Sequence, residues 1–248
     1  MRSPFKNKVL VLSCATAGKE RPQTLRYNRD KNFIQPQGFE YLMIEDEDKA
    51  FTKAGWPRNY VMNNPCFQSS TIDPTWKDRR DSRIPKILST ILFADYEYIV
   101  WKDANLVLNK SPLDFIDSKY DLIAEDCASI TGYNTLEEEF DACHRFGVDH
   151  PHSLYEQEVF YKQQINLKKS KTYWGGCFIL KNSDITKKLQ LMWWEQYCKF
   201  SSRDQLSLAY CLQLMKKDIK IKSVRIRRNL TTRTYRHKKS NKLPTHTE

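Results

Sequence analysis

The sequence is poor in glycine, with only 7 glycines among 248 residues. It contains neither a Walker-type phosphate loop nor a G-x-G-x-x-G fingerprint, both of which need closely spaced glycines so that the backbone can approach a phosphate. Any phosphate binding must therefore use a metal ion, basic side chains or an ordinary helix N-terminus.

Cysteine spacing and apolar run length exclude further classes of protein. The seven cysteines form no C-x-x-C pair and their number is odd, which suits neither a disulfide framework nor a zinc cage. We therefore expect reduced, mostly buried cysteines in a cytoplasmic protein. No apolar run approaches transmembrane length. The short run at residues 9–12 resembles part of a signal peptide but fits a buried strand equally well.

Positive charge is concentrated at the C-terminal end of the chain. The net charge is +11, and residues 216–248 hold 12 Lys and Arg against two acids, so the rest of the chain is nearly neutral. Such a segment predicts an anionic partner, either a nucleotide diphosphate, the inner face of an anionic membrane or nucleic acid. Nucleic acid is the least favoured, because only Tyr235 interrupts the basic residues with an aromatic ring.

Hydrophobic patterning predicts alternating strands and helices. Apolar runs predict strands at 8–14, 39–45, 97–101, 106–108, 120–124, 173–181 and 219–226, and helical periodicity appears at 83–94, 134–146, 153–166, 184–199 and 203–215. Ser183 and Ser202 are predicted caps of the last two helices. This alternation predicts a single α/β domain over residues 1–239, with a mostly parallel central sheet flanked by helices and a flexible basic tail at 240–248.

The polar break Asp103-Ala104-Asn105 between two apolar strands is the most informative local feature. Ligands of open α/β sheets bind where strands end. Two oxygen-bearing side chains two residues apart on a tight turn could both face one Mn²⁺ or Mg²⁺ ion that bridges a substrate diphosphate. An ordinary Asp/Asn turn explains the same residues equally well.

Four motifs occur in order along the chain: Arg83-Ile84-Pro85-Lys86, Trp101-Lys102-Asp103-Ala104-Asn105, Trp193-Trp194-Glu195 and Arg203-Asp204-Gln205-Leu206-Ser207. With this combination, the chain resembles a glycosyltransferase-like family of GT-A type that includes plant cell-wall and mucilage proteins and bacterial proteins. The resemblance implies a GT-A fold, a nucleotide-sugar donor, a glycan or glycolipid acceptor and a divalent metal at Asp103 and Asn105. The implied reaction is transfer of a hexosyl or related sugar in surface-polysaccharide synthesis.

The resemblance also suggests roles for other residues. Arg83 and Lys86 would reach the donor, although a solvent-exposed basic helix face explains their spacing too. By analogy of fold, residues after the first strand would hold the nucleoside, namely Ser13, Thr16 and Ala17. His237 would be a third metal ligand with Lys238 on the diphosphate, unless both belong to a disordered tail.

The chemistry of sugar transfer suggests two further groups of site residues, those that contact the sugar and those that could accept a proton. Gly175 and Gly176 would let the backbone approach the sugar, or simply form a bend. Arg203 and Gln205 would hold sugar hydroxyls. An enzyme that inverts the anomeric centre needs a carboxylate to take the acceptor proton. Asp204 is the first candidate and Glu195 the second, although an Asp at a helix start is also ordinary dipole complementation. A hydrolase on the same fold is an alternative, but the sequence shows no triad of His and carboxylates that would activate water.

Overall fold

The computed structural model describes residues 9–15, 39–45, 59–61, 82–104, 106–108 and 110–233. Five predicted site residues lie outside this part of the chain, as does the predicted tail at 240–248. The roles given to these five stay predictions; they are Thr16, Ala17, Asn105, His237 and Lys238.

A seven-stranded sheet forms the centre of the described structure. Its strands are β1 Val9–Ala15, β2 Glu40–Glu45, β3 Asn59–Val61, β4 Tyr98–Lys102, β6 Leu122–Ala124, β7 Cys177–Lys181 and β8 Ile221–Ser223. They lie in the order β3-β2-β1-β4-β7-β6-β8. In this sheet only β7 runs antiparallel to its neighbours, and the other pairs of the sheet are parallel. The predicted α/β fold with a mostly parallel sheet is confirmed.

The remaining elements are short strands and helices around this sheet. Strands β5 Leu106–Leu108 and β9 Thr231–Arg233 form a separate antiparallel ribbon. The helices are α1 Ile84–Ile87, α2 Ser89–Leu92, α3 Ala128–Thr131, α4 Leu136–Phe146, α5 Pro151–Gln164, α6 Asp184–Lys199, α7 Asp204–Leu214 and α8 Ile226–Asn229. The single helix predicted over 83–94 is therefore two short helices, because the backbone leaves the helical conformation at Leu88.

The two predicted helix caps have different outcomes. Ser183 caps α6, since its hydroxyl accepts a hydrogen bond from the Thr186 N–H. The prediction for Ser202 was wrong: α7 begins after Arg203, which makes no side-chain cap bond. The buried Ser202 hydroxyl instead donates to the Asp149 carboxylate over 2.5 Å. Asp149 thus holds both the hydroxyl and the backbone N–H of Ser202, and the helix begins one residue later than predicted.

The core lies on both faces of the sheet. Alternate residues of β1 point to opposite sides, with Leu10 and Leu12 in one buried cluster and Val9 and Val11 in the other. The first cluster packs under α1 and α4 to α7, and the second under α8 and the β5–β9 ribbon. Burial on two sides explains why the strand reads as a continuous apolar run.

The described cysteines agree with the expectation from their spacing. Of the six described cysteines, five are buried and Cys198 is exposed. Within the described ranges, no helix has the length and apolar character needed to cross a membrane.

Candidate active site

The ends of neighbouring strands bring several predicted residues to one edge of the sheet. Asp103 follows β4, and its backbone N–H donates to the Gly176 carbonyl over 2.7 Å, just before β7 begins. The buried Ser13 hydroxyl of β1 donates to the Lys102 carbonyl over 2.8 Å. Because β7 is antiparallel to β4, its first residue lies beside the last residue of β4. The structure therefore places Ser13, Asp103 and Gly176 close together.

Two basic side chains of the α1 region converge on one carboxylate of α7. Lys86 Nζ lies 2.5 Å from Asp204 Oδ2, and Arg83 Nε lies 3.3 Å from Asp204 Oδ1. The Lys86 and Asp204 side chains are only 3% and 6% exposed. These three residues form a buried charge cluster in which one carboxylate is shared by two cations.

Burial and the neighbouring charges shift the pKa values of all three residues in the charge cluster. Burial would raise the pKa of Asp204, but the charges of Lys86 and Arg83 outweigh burial and hold the pKa of this carboxyl far below its usual value. Burial lowers the pKa of Lys86, and Asp204 only partly opposes this effect. Burial also opposes the charge on Arg83, but Asp204 and then Asp103 raise the pKa of its guanidinium. Asp204 and Arg83 are therefore ionised at neutral pH.

Gly175 and Gly176 connect the charge cluster to the edge of the sheet. A Cβ atom at Gly175 would lie 2.9 Å from Lys86 Nζ and 3.6 Å from Asp204 Oδ2. A Cβ at Gly176 would lie 2.3 Å from the Trp174 ring. A side chain at either position would displace its neighbours, so protein groups approach the backbone closely at both glycines. Contact with a sugar stays a prediction.

Two tryptophans of the motifs orient the acidic residues. Trp101 Nε1 donates to Asp103 Oδ1 over 3.1 Å, and the Trp101 ring lies 5.7 Å from Lys86 Nζ. Trp193 Nε1 donates to the Asp204 carbonyl over 2.8 Å. Each tryptophan therefore binds an acidic residue of a polar motif. The sequence shows that these residues are near one another in the chain, but not that they form hydrogen bonds.

The neighbours of Asp204 in its motif make contacts of their own. The Arg203 guanidinium donates to Glu139 Oε1 of α4, at 2.8 Å from Nη2 and 3.3 Å from Nε. Gln205 Nε2 donates to the Cys127 thiol over 3.0 Å. These partners occupy part of the hydrogen-bonding capacity that was assigned to sugar hydroxyls. The sugar-binding roles of Arg203 and Gln205 stay predictions.

Two buried acids that sequence reasoning missed hold the start of α7. Glu139 pairs with Arg203, and Asp149 accepts both the backbone N–H and the hydroxyl of Ser202, each over 2.5 Å. Both contacts fix the turn that delivers Asp204 to its cations. No local pattern signals these residues, because Glu139 and Asp149 lie more than fifty residues before their partners in the chain.

The two candidates for the proton acceptor differ in environment. Asp204 is buried and ion-paired, and the resulting low pKa means a low affinity for protons. Glu195 is exposed on α6 and lies close enough to the middle of α7 to affect the pKa of Tyr210. The environment of Asp204 does not resemble that of a carboxylate poised to take a proton near neutral pH. The catalytic roles of both residues stay predictions.

The described residues supply one hard-oxygen ligand for the predicted metal. Asp103 presents a partly buried carboxylate at the end of β4, which is chemically suited to Mn²⁺ or Mg²⁺. In the part of the chain that the structure describes, no three His, Cys, Asp or Glu residues cluster as a metal site. A complete site would need ligands from outside the described residues, where Asn105 and His237 lie.

The described structure is thus an α/β domain with acidic and basic side chains at the carboxyl edge of its parallel strands. The sequence profile of the TOD1/MUCI70 glycosyltransferase-like domain matches residues 71–237, about two thirds of the chain. The chain belongs to this family, which confirms the resemblance found in the sequence. No curated protein sequence matches the chain significantly.

Two glycosyltransferases are among the solved structures to which this chain is similar. The bifunctional glycosyltransferase WbbM, in its apo form, is similar with a TM-score of 0.51 and 10% identity. The match covers 91% of this chain but only 40% of WbbM. Mouse xyloside xylosyltransferase 1, also in its apo form, gives a TM-score of 0.46 and 11% identity over 89% of this chain and 86% of the mouse protein. At such low identity the WbbM likeness shows the GT-A-type fold alone.

Proposed function

We propose that this protein transfers a sugar from a nucleoside-diphosphate donor to a glycan or glycolipid acceptor. The observation that carries the proposal is the convergence of Asp103, the Lys86–Asp204–Arg83 charge cluster and Gly175 at one edge of the sheet. Family membership and fold support the same class of reaction. Synthesis of surface polysaccharide, in the cytoplasm or at the inner face of a membrane, is the proposed setting.

The balance of charge at the site suits a diphosphate with a divalent ion. Asp204 is ion-paired to Lys86 and Arg83, while Asp103 adds a second negative charge close enough to raise the pKa of Arg83. Two cations and two carboxylates are thus nearly neutral together. A divalent ion alone would leave excess positive charge there, whereas an ion together with an anionic diphosphate restores the balance.

The residues present fit such an ion only in part. Asp103, with Asn105 and His237, would hold Mn²⁺ or Mg²⁺, and the bound ion would neutralise charge on the leaving diphosphate. Arg83 is partly exposed and can extend toward a phosphate oxygen, whereas Lys86 is fully enclosed. We therefore assign direct donor binding to Arg83 and an indirect electrostatic role to Lys86.

Asp204 is better suited to positioning than to proton transfer. Its two oxygens hold the two cations. Asp149 and Trp193 hold the backbone at Ser202 and at Asp204, and Glu139 holds the Arg203 side chain. Such fixed dipoles and charges need no reorganisation when the donor reacts. Under this proposal an inverting reaction would need another proton acceptor, and a retaining reaction would need none.

Thermal-shift measurements with nucleotide sugars and nucleoside diphosphates, each with and without Mn²⁺, test the proposal. A ligand that binds the folded state raises the melting temperature. We expect one nucleotide to stabilise the protein when Mn²⁺ is present, and Asp103→Ala to abolish the shift. The matched control is Asp95→Ala, an exposed acid before the opposite end of β4. Absence of any shift, or equal shifts in the two variants, would contradict the proposal.

Product analysis distinguishes transfer from hydrolysis. A glycosyltransferase forms a new glycosidic bond when an acceptor is supplied, whereas a hydrolase on the same fold releases only free sugar. Binding of polynucleotides with a steep dependence on salt would instead favour the nucleic-acid alternative.

A further inference from the structure

A pocket rich in lysine lies at the far end of α7 from the charge cluster. Its volume is about 330 Å³, and we call it the lysine pocket. Three ammonium-bearing side chains line it, from Lys169, Lys171 and Lys216, together with Tyr173 and Gln213. The helix α7 and the segment before β8 supply an apolar part of the wall.

The charge of the lysine pocket is only partly compensated. Lys171 Nζ lies 3.2 Å from Asp126 Oδ2. Within the described ranges, neither Lys169 nor Lys216 forms an ion pair with a carboxylate. Clustered cations without counter-charges repel one another and create a positive potential, which an anion relieves. The ligand class that fits is therefore a group bearing an oxyanion.

The shape and the wall of the lysine pocket restrict the ligand further. Its volume is at the lower end of the range for small-molecule sites, so it admits a group of about the size of one sugar. Leu212, Ile219 and Ile221 give an apolar surface suited to the C–H face of a sugar ring. Gln213 can donate to and accept from hydroxyl groups. A sugar with an acidic substituent can contact the lysines, the apolar wall and Gln213 at the same time.

Two elements connect the lysine pocket to the candidate active site. Asp204 begins α7 and Leu212 lies eight residues later, which corresponds to about 12 Å along the helix axis. Tyr173 lies only two residues before Gly175, at most about 7 Å along the chain. Residues 173–176 and 204–212 are buried, so the pocket is a surface site separate from the charge cluster.

We propose that the lysine pocket is a glycan-binding subsite that binds an oxyanion carried by a sugar, either a carboxylate or a phosphate. This inference rests on the proposed transfer to a glycan acceptor. A glycan held there by its acidic substituent would be bound at the far end of α7 from the charge cluster. The pocket would thus select acidic glycans over neutral ones of the same length.

Binding to the full-length protein tests the subsite. The probes are a tetramer of β-1,4-linked glucuronate, the neutral cellotetraose of equal length, and glucose 6-phosphate. The pocket variant is Lys169→Glu with Lys216→Glu. Its matched control is Lys110→Glu with Lys188→Glu, which reverses two exposed lysines elsewhere and changes the net charge equally. Calorimetric titration gives the affinities.

We expect at least one anionic probe to bind more tightly than cellotetraose, and its affinity to fall at least about tenfold in the pocket variant but not in the control. Preference for the glucuronate tetramer would identify a carboxylate ligand, and preference for glucose 6-phosphate a phosphate ligand. Equal affinities in the two variants, or no preference for either anionic probe over cellotetraose, would overturn the subsite.

The nucleotide thermal shift separates this inference from the proposed function. The pocket variant should keep the Mn²⁺-dependent shift of the wild type, because its substitutions lie away from Asp103. Loss of anionic-probe binding with an intact nucleotide shift supports the subsite. Anionic-probe binding without any nucleotide shift would contradict the transferase while preserving the pocket as a glycan site.

Discussion

The position of Asp204 shows how one residue can determine the electrostatics of a site. It lies at the start of α7, 118 residues after Lys86, and neutralises the buried Lys86 and the partly exposed Arg83. Removing one partner of a buried pair leaves an uncompensated charge, which is far more costly than losing an exposed ion pair. Stability and donor binding should therefore both depend on this carboxylate.

We predict that Asp204→Asn lowers the free energy of unfolding by about 3–5 kcal/mol, since the amide keeps the shape but not the charge. Glu195→Gln, at an exposed site of α6, should change it by less than about 0.5 kcal/mol. Urea unfolding of the two variants measures the difference. Similar effects in both variants would show that the charge cluster contributes little to stability.

The difference in unfolding free energy between the wild type and Asp204→Asn should depend on pH. Because the folded protein holds the pKa of Asp204 below its unfolded value of about 3.9, the carboxylate stabilises the fold above that pH. Its contribution is lost as pH falls toward the folded pKa. The stability gap between wild type and Asp204→Asn should therefore be constant near neutrality and narrow below about pH 4. A gap that stays constant under acid would contradict the ionised state of Asp204.

At the scale of elements, the bend that enters β7 joins the sheet to the charge cluster. Gly176 faces the rigid, buried indole of Trp174, whereas Gly175 faces the end of the flexible Lys86 side chain. A methyl group added at Gly176 would therefore contact a rigid ring, whereas one added at Gly175 would contact a flexible side chain. The two positions should differ in what a substitution disturbs.

We predict that Gly176→Ala lowers the free energy of unfolding by about 1–3 kcal/mol, because the Trp174 ring must move. Gly175→Ala should cost less stability but should displace Lys86 Nζ and weaken the nucleotide-dependent thermal shift. Each variant is the control for the other. Urea unfolding and thermal shift, measured on both, check this separation, and identical profiles would contradict it.

Elements were predictable from the sequence where the signal is local. The continuous apolar run of β1 and the capping serine Ser183 were read correctly, because burial on two sides and a cap bond both leave short-range patterns. The direction of β7 and the hydrogen-bond partner of Ser202 were not predictable from the sequence. An apolar strand of five residues carries no mark of its direction, and Asp149 lies 53 residues before Ser202.

In the candidate site, too, only the features with a local signal were predictable from the sequence. The acidic turn after β4 and the basic pair before it were recognised, since strand ends and motif spacing are visible in sequence. The ion pairs from Lys86 and Arg83 to Asp204 depend on how α1 and α7 pack, which no local pattern encodes. Asp204 was therefore assigned a proton-transfer role that its buried partners do not favour.

At the scale of the whole molecule, the basic C-terminal segment has a structured part. Residues 221–233 contribute β8, α8 and β9, and Ile226 and Leu230 are fully buried in the second core cluster. Three arginines on and beside α8 are exposed and form no ion pair within the described ranges: Arg225, Arg227 and Arg228. The folded domain therefore presents part of the excess positive charge on a fixed surface.

This surface makes association with an anionic membrane measurable without truncating the domain. Each basic residue near an anionic membrane contributes about 1 kcal/mol. Replacing the three arginines by glutamine should therefore weaken binding to vesicles of phosphatidylserine and phosphatidylcholine by about a hundredfold. The control replaces Lys110, Lys187 and Lys188 by glutamine, which removes the same charge elsewhere. Sedimentation at rising salt gives both affinities. Equal loss in the two variants would mean that net charge alone drives association, and no binding by the wild type would exclude this route to a lipid-linked acceptor.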